Sequence, residues 1–271
     1  MREARPGDAP WLKVVVGLLL AFLYLPLVVL VVLSFNDAQR AVVTWSGFTT
    51  RWYGQVFENP ELLAALGTTL VIAAAATAIS VVLGTTLALG LERYTRSSAL
   101  DSAVYIPLLV PDIVLGIALL SFFSLVLVPL GVGSIIIAHA VWGTAFAAAI
   151  IRTRLRGFDR SIEEASLDLG VREVQTFLRI TLPVILPGIV AAALVVFTLS
   201  VDEFVIAYFT AGRTVTFPIQ VYSMIRFGVT PEINAVATIL LAFSMLVLGL
   251  ALFVLRGRTG ADPLEAEVPD R

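Results

Sequence analysis

Residues 152–183 read RTRLRGFDRSIEEASLDLGVREVQTFLRITLP, a stretch unlike the chain on either side of it. Arg152, Arg154, Arg156 and Arg160 open it. Ser161 followed three residues later by Glu164 has the spacing of a capping box, in which each side chain bonds a backbone N–H that the helix start leaves free. Ile162, Ala165 and Leu169 then recur at helical spacing. Gly170 suits the left-handed residue that ends a helix. A second short helix places Val174, Phe177 and Leu178 on one face, and Pro183 is expected to stop it. Two short helices parted by a glycine make a knob shaped for a groove on a partner protein.

Outward from this loop the chain turns apolar in both directions. Hydrophobic residues make up 59% of the 271 and charged residues only 14%, where a soluble domain carries about a quarter charged. Mean hydropathy is +0.96. The fold class is therefore an all-α integral membrane protein. Apolar stretches near 12–34, 62–91, 103–128, 134–151, 184–209 and 235–255 predict six transmembrane helices, each matched to a hydrocarbon core of about 30 Å. The first is too long for a signal peptide and lacks a small-residue cleavage site, so it reads as an anchor. Asn59, Pro60 and Glu61 mark the start of the second span, as cap, first helical residue and acid on the helix dipole. Thr230, Pro231 and Glu232 repeat the signal before the sixth, and both starts belong on one side of the membrane.

Fourteen of the eighteen Lys and Arg residues fall in segments that are cytoplasmic if the N-terminus is inside. The positive-inside rule then places both termini in the cytoplasm, with the loop 152–183. The linear division is 1–61, an N-terminal anchor helix and outer loop; 62–255, the transmembrane core with that loop; and 256–271, a polar cytoplasmic tail whose composition predicts disorder.

Several activities are excluded by what is scarce. Lys13 is the only lysine and follows no glycine-rich loop, so the chain has no P-loop to hold ATP phosphates. His139 is the only histidine and cysteine is absent, which removes multi-histidine and thiolate metal centres. An enzyme reading has no metal cluster or serine-and-base set to rest on. His139, early in the fourth span, reads as a packed, hydrogen-bonded residue, the other reading being a gate or proton relay, for which no acid lies near in sequence.

Glu164-Ala165-Ser166, three residues, Gly170, nine residues, Ile180, Thr181, Leu182-Pro183 resembles the coupling-loop signature of type I ABC importer permeases. That pattern reads Glu-Ala-Ala, Gly, then Ile and Leu-Pro at this spacing, and Ser166 for the second alanine is the one departure. The resemblance implies the type I importer permease fold with a cytoplasmic coupling helix. It further implies that the loop, with Glu163, Glu164, Ala165, Ser166, Asp168, Gly170, Ile180, Leu182 and Pro183, docks on a separate ATPase subunit. ATP and Mg would be bound by that partner, and no cofactor by this chain. Glu164 has two candidate roles, pairing with basic groups on the ATPase and capping its own helix.

Acids inside spans are costly and therefore candidates for a solute path. Asp112, in Pro107-Leu-Leu-Val-Pro111-Asp112, lies about 13 Å along a helix begun at 103, close to mid-membrane. Asp202 and Glu203 fall toward the outer end of the fifth span. No Lys or Arg within the spans neutralises them, which favours a cationic solute. The contrary reading leaves Asp112 as a helix cap and the other two idle at the interface. The segments around Asp112 and Asp202-Glu203, the outer Thr49-Thr-Arg-Trp52-Tyr53, and the run from Phe217 to Ile225 and on to Pro231-Glu232-Ile-Asn234 are similar to permeases of the spermidine/putrescine branch. That resemblance implies a polyamine substrate, with Trp52, Trp45 and Tyr53 as candidate cation–π faces at the outer mouth; the other reading of each aromatic is the interfacial belt. It also implies a bacterial inner-membrane location, a homologous second permease subunit, two ATPases and an external solute-binding protein, with no nucleic acid. An importer for amino acids, sugars or oxyanions stays open, although an oxyanion would be expected to meet basic groups. A secondary transporter would show inverted repeats and more spans.

Overall fold

The computed structural model describes residues 10–38, 44–94, 98–226 and 230–259. Among the described residues the regular structure is helical, apart from an isolated antiparallel bridge between Asn36 and Phe48. Helix α1 (Pro10–Leu33) is followed by a short α2 (Arg51–Glu58) and by α3 (Pro60–Arg93), a 34-residue helix. Then come α4 (Ser98–Leu109), α5 (Asp112–Leu125) and α6 (Val132–Arg156). The loop contributes α7 (Ser161–Asp168) and α8 (Glu173–Thr176), which runs through a π-helical turn (Phe177–Thr181) into α9 (Leu182–Asp202). Helices α10 (Val205–Thr210), α11 (Phe217–Arg226) and α12 (Pro231–Thr259) complete the chain.

Among the described residues, α1, α3, α6 and the continuous stretch Glu173–Asp202 are each long and apolar enough to cross a membrane. The 29-residue α12 has a described apolar stretch, Pro231–Leu246. The expected third span is not one straight helix. It is the pair α4 and α5, bent by 104°, because Pro111 has no N–H to continue the ladder and forces Val110 out of helical geometry. The axial distance of 13 Å for Asp112 assumed collinearity and therefore lapses. The expected fifth span also ends early: α9 stops at Asp202, and 205–210 forms the separate α10. The tail expected from 256 lies outside the described residues from 260 onward.

The chain forms two compact units, Met1–Leu62 with Val221–Phe243, and Leu63–Gln220 with Ser244–Arg271. In the first, the start of α3 is capped as expected: Asn59 Oδ1 accepts the N–H of Glu61 at 3.1 Å and of Leu62 at 3.2 Å. Asn59 Nδ2 also donates to Glu232 Oε1 at 3.4 Å, which puts the starts of α3 and α12 side by side. In the second unit, α6 and α9 pack through small residues, with Ala147, Ala148 and Ala192 wholly buried. Small side chains let apolar helices approach closely enough for dispersion to hold them where lipid supplies no hydrophobic drive. Gly143 on α6 shows how close: a Cβ there would collide with Ser80 of α3 and touch Val196 of α9 at 3.0 Å.

Candidate functional site

The loop after α6 is built from local rules, though not all of them the expected ones. Ser161 is not the cap of α7; no side-chain cap bond is made at its start, and Arg160 is already helical. Asp159 takes the role, its Oδ1 accepting the Ser161 N–H at 3.0 Å. That hydrogen bond holds the Asp159 carboxyl below its ordinary pKa. Glu164 instead faces outward, 3.3 Å from Arg160 one turn earlier. Gly170 does adopt the left-handed conformation, with φ 81°. The Val171 N–H reaches Ser166 O at 3.2 Å and the Gly170 N–H reaches Leu167 O at 2.8 Å, the paired bonds of a Schellman ending.

Burial in the loop is the reverse of an ordinary amphipathic helix. Glu163 and Ser166 are the buried residues of α7, whereas Ile162, Leu167 and Leu169 are exposed, Leu169 to 85%. Val174 and Leu178 are exposed as well, whereas Phe177 of the same expected face is half-buried and packs against the core between α6 and α9. Glu164, Ala165, Asp168 and Gly170 share this outward side, while Ile180 and Leu182 are half-buried at the root of α9. Pro183 does not stop a helix: α8, the π turn and α9 are continuous. A proline N–H is missing and its ring crowds the carbonyl four residues back. The π turn absorbs that defect, and the Leu182 N–H bonds Phe177 O five residues back.

What holds the loop lies beneath it. Arg93, the last residue of α3, pairs with Glu163 and donates to the Thr181 hydroxyl at 3.3 Å. The Thr181 hydroxyl also donates to Glu163. Next to Arg93, Glu92 accepts from Arg152 Nε at 2.7 Å and Arg156 Nε at 3.0 Å, and Arg152 reaches the Tyr105 hydroxyl at 3.0 Å. Two of the four arginines that open the loop are therefore tied into the helix bundle. Ser166 and Thr176 hydroxyls, 3.0 Å apart, join α7 to α8. A cavity of about 200 Å³ under α7 is lined by Arg93, Arg160, Glu163, Glu173, Thr176 and Phe177, among others.

The acids gather at the helix breaks. Asp112 is the first residue of α5 and Asp202 the last of α9, both exposed. Glu203 sits between α9 and α10, half-buried, and its Oε1 accepts the Ile206 N–H at 2.8 Å. Helices α5 and α10 pack where Gly116 meets Ile206 and Phe209, bringing Asp112 within electrostatic reach of Glu203. Among the described residues no Lys or Arg pairs with Asp112, Asp202 or Glu203.

The aromatics expected at the outer mouth have other partners. Trp52 is buried, donating Nε1–H to Asn36 O at 2.8 Å. Its ring is covered by the Arg51 guanidinium at 4.4 Å, which also meets Asp37 at 2.9 Å. The Tyr53 hydroxyl lies 2.6 Å from that of Ser34. His139 is buried as expected, with Nδ1 2.7 Å from Ser200 Oγ and Trp142 beside its ring.

Comparison with known proteins agrees with this geometry. Residues 80–259 match the family of binding-protein-dependent transport system inner membrane components. The putrescine transport system permease protein PotI of Escherichia coli K12 is 41% identical over 243 residues, 86% of each chain. The spermidine/putrescine transport system permease protein PotC of the same strain is 35% identical, covering 88% of this chain and 91% of that one. PotC of Haemophilus influenzae is 37% identical, over 87% and 90% respectively. Among solved structures, a bacterial ABC transporter that imports the acidic polysaccharide alginate aligns with TM-score 0.64 at 15% identity, covering 95% of this chain and 99% of that chain. The MetNI methionine ABC transporter aligns with TM-score 0.60 at 18% identity, covering 78% and 99%. These structural likenesses establish the permease fold. The chain belongs to the family of binding-protein-dependent transport inner membrane components, and it is a transport permease rather than an enzyme.

Proposed function

We propose that this permease imports polyamines of the putrescine and spermidine type, delivered by a solute-binding protein and driven by separate ATPase subunits. The observation that carries the reading is the identity of 41% to a putrescine permease across most of both chains. The acids at the helix breaks support it, because carboxylates without internal cationic partners are suited to receive ammonium groups. Asp112, Asp202 and Glu203 are the proposed solute contacts. Trp52 and Tyr53 are dropped from the path: an ammonium would have to displace Arg51 from Trp52, and both aromatics already brace the segment before α2.

In this reading both termini and the loop 152–183 are cytoplasmic in a bacterial inner membrane. Residues 62–255 form the transporting core behind the anchor 1–61. A homologous second permease completes the pore, and two ATPases hold ATP and Mg. The exposed apolar side of α7 and α8, with Glu164, is the surface offered to the ATPase. Its outward apolar residues support this, since such residues are stable there only under a partner or lipid.

The test is ATP-driven uptake into proteoliposomes holding the whole importer and its binding protein, with spermidine, putrescine, maltose, an amino acid and phosphate as solutes. Polyamine uptake is expected, reduced about tenfold or more by Asp112→Asn or Glu203→Gln in complexes that still assemble, since a tenfold loss needs only about 1.4 kcal/mol. Uptake of another solute overturns the substrate, and normal transport by the variants removes the acids from the path.

A further inference from the structure

Glu92 and Arg93 are consecutive and end a 34-residue helix. Successive helical residues project about 100° apart, so the two side chains reach different neighbours. Glu92 reaches α6 through Arg152 and Arg156. Arg93 reaches α7 through Glu163 and the π turn through Thr181. Arg152 extends the set to Tyr105 of α4. Three parts, α6, α7 and the π turn, thus meet at two residues of α3, and α4 joins them through Arg152.

A loop that is to move helices needs more than its two covalent ends. Gly157 before α7 and Gly170 after it are points about which an otherwise unattached α7 could swing. The Arg93–Glu163–Thr181 triangle closes that freedom, because Glu163 is 7% exposed and Thr181 wholly buried, where charge-assisted bonds are strong and costly to break. Position matters too: Glu163 is buried on the side of α7 away from Ala165 and Leu169, where Arg93 and Thr181 already occupy its carboxylate. The π turn has a part in this, since its extra residue rotates Thr181 relative to an α-helical course.

We propose that Glu92 and Arg93 form the mechanical junction between the coupling loop and the spans, with Arg93, Glu163 and Thr181 as positioning residues that make α7 and α3 move as one body. The proposal rests on the reading of the loop as the ATPase-docking element. Motion imposed on α7 is carried along α3, about 51 Å of helix without an internal proline.

The experiment uses the whole importer in proteoliposomes and measures ATPase retention, ATP hydrolysis and uptake together. Arg93→Glu and Glu163→Arg are each expected to keep the ATPases bound and hydrolysing while uptake per ATP falls about tenfold, within the usual range of coupling energies. The exchanged double variant is expected to recover most of that ratio. A single variant with the wild-type ratio overturns the proposal, as does an assembled double variant that stays uncoupled. Loss of the ATPases from the Arg93→Glu complex also overturns it, by making Arg93 part of docking. Should the charge variants not fold, Thr181→Val is the milder probe: a lowered ratio at unchanged melting temperature supports the junction, and an unchanged ratio overturns it. Leu169→Glu on the exposed side separates the two readings. It is expected to release the ATPases, and if it does not, the docking reading fails whatever Arg93 shows.

Discussion

Arg51 and Trp52 show how one neighbour changes what a residue is for. The indole face is covered by the guanidinium and its N–H is committed to Asn36, so Trp52 stabilises the entry to α2. Trp52→Phe should lower stability by about 1 kcal/mol, one hydrogen bond's worth, and leave the apparent KM for polyamine unchanged; thermal unfolding in detergent and uptake kinetics check the two halves. Asp159 makes a pH prediction. Its carboxyl is held below the ordinary value by the Ser161 N–H, so the charged form favours the fold. That contribution is complete above the ordinary carboxylate range and is lost as pH falls through the lowered value. The protection of the Ser161 amide, its exchange relative to the intrinsic rate at each pH, should therefore fall on acidification. Asp159→Asn, which keeps an acceptor but cannot titrate, should abolish that dependence. Neither Trp52's partner nor Asp159's role was legible locally. Ser161 and Glu164 had the right spacing for a cap, but an acceptor two residues earlier reached the N–H first.

Among the elements, the passage from loop to span is decided at Pro183. A proline predicts an end, yet the helix continues because a π turn shifts the hydrogen-bond register by one and leaves no N–H required at that position. Pro183→Ala should let this turn relax to α-helix, rotate Thr181 away from Glu163, and lower uptake per ATP about fivefold with the ATPases still bound. The break between α4 and α5 is the opposite case. Pro111 lacks the N–H that would carry the ladder on, and the 104° bend follows because no neighbouring residue restores it. What could not be foreseen was its consequence, that α10 packs on α5 and brings Glu203 to Asp112.

For the whole molecule, a single labelling experiment reads the orientation. The chain has no cysteine, so single cysteines at Leu169 and Phe48, both highly exposed, report cleanly. In sealed right-side-out vesicles carrying the permease without its ATPases, an impermeant maleimide should label Phe48→Cys and spare Leu169→Cys until the membrane is opened; the reverse pattern inverts the topology. Membrane residence, the positions of most helices, the cap at Asn59, the left-handed Gly170 and the membership of the coupling-loop family were all written in the sequence. Each depends on composition or on residues within a few positions of one another, where periodicity and backbone sterics suffice. The tertiary structure alone decided that Glu163 and not Glu164 faces inward, that Leu169, Val174 and Leu178 face out while Phe177 packs on the core, and that Arg93 anchors the loop. Glu163 and Glu164 are identical in chemistry and adjacent in the chain, and Arg93 lies 70 residues away. Only the meeting of distant helix ends could tell the two apart.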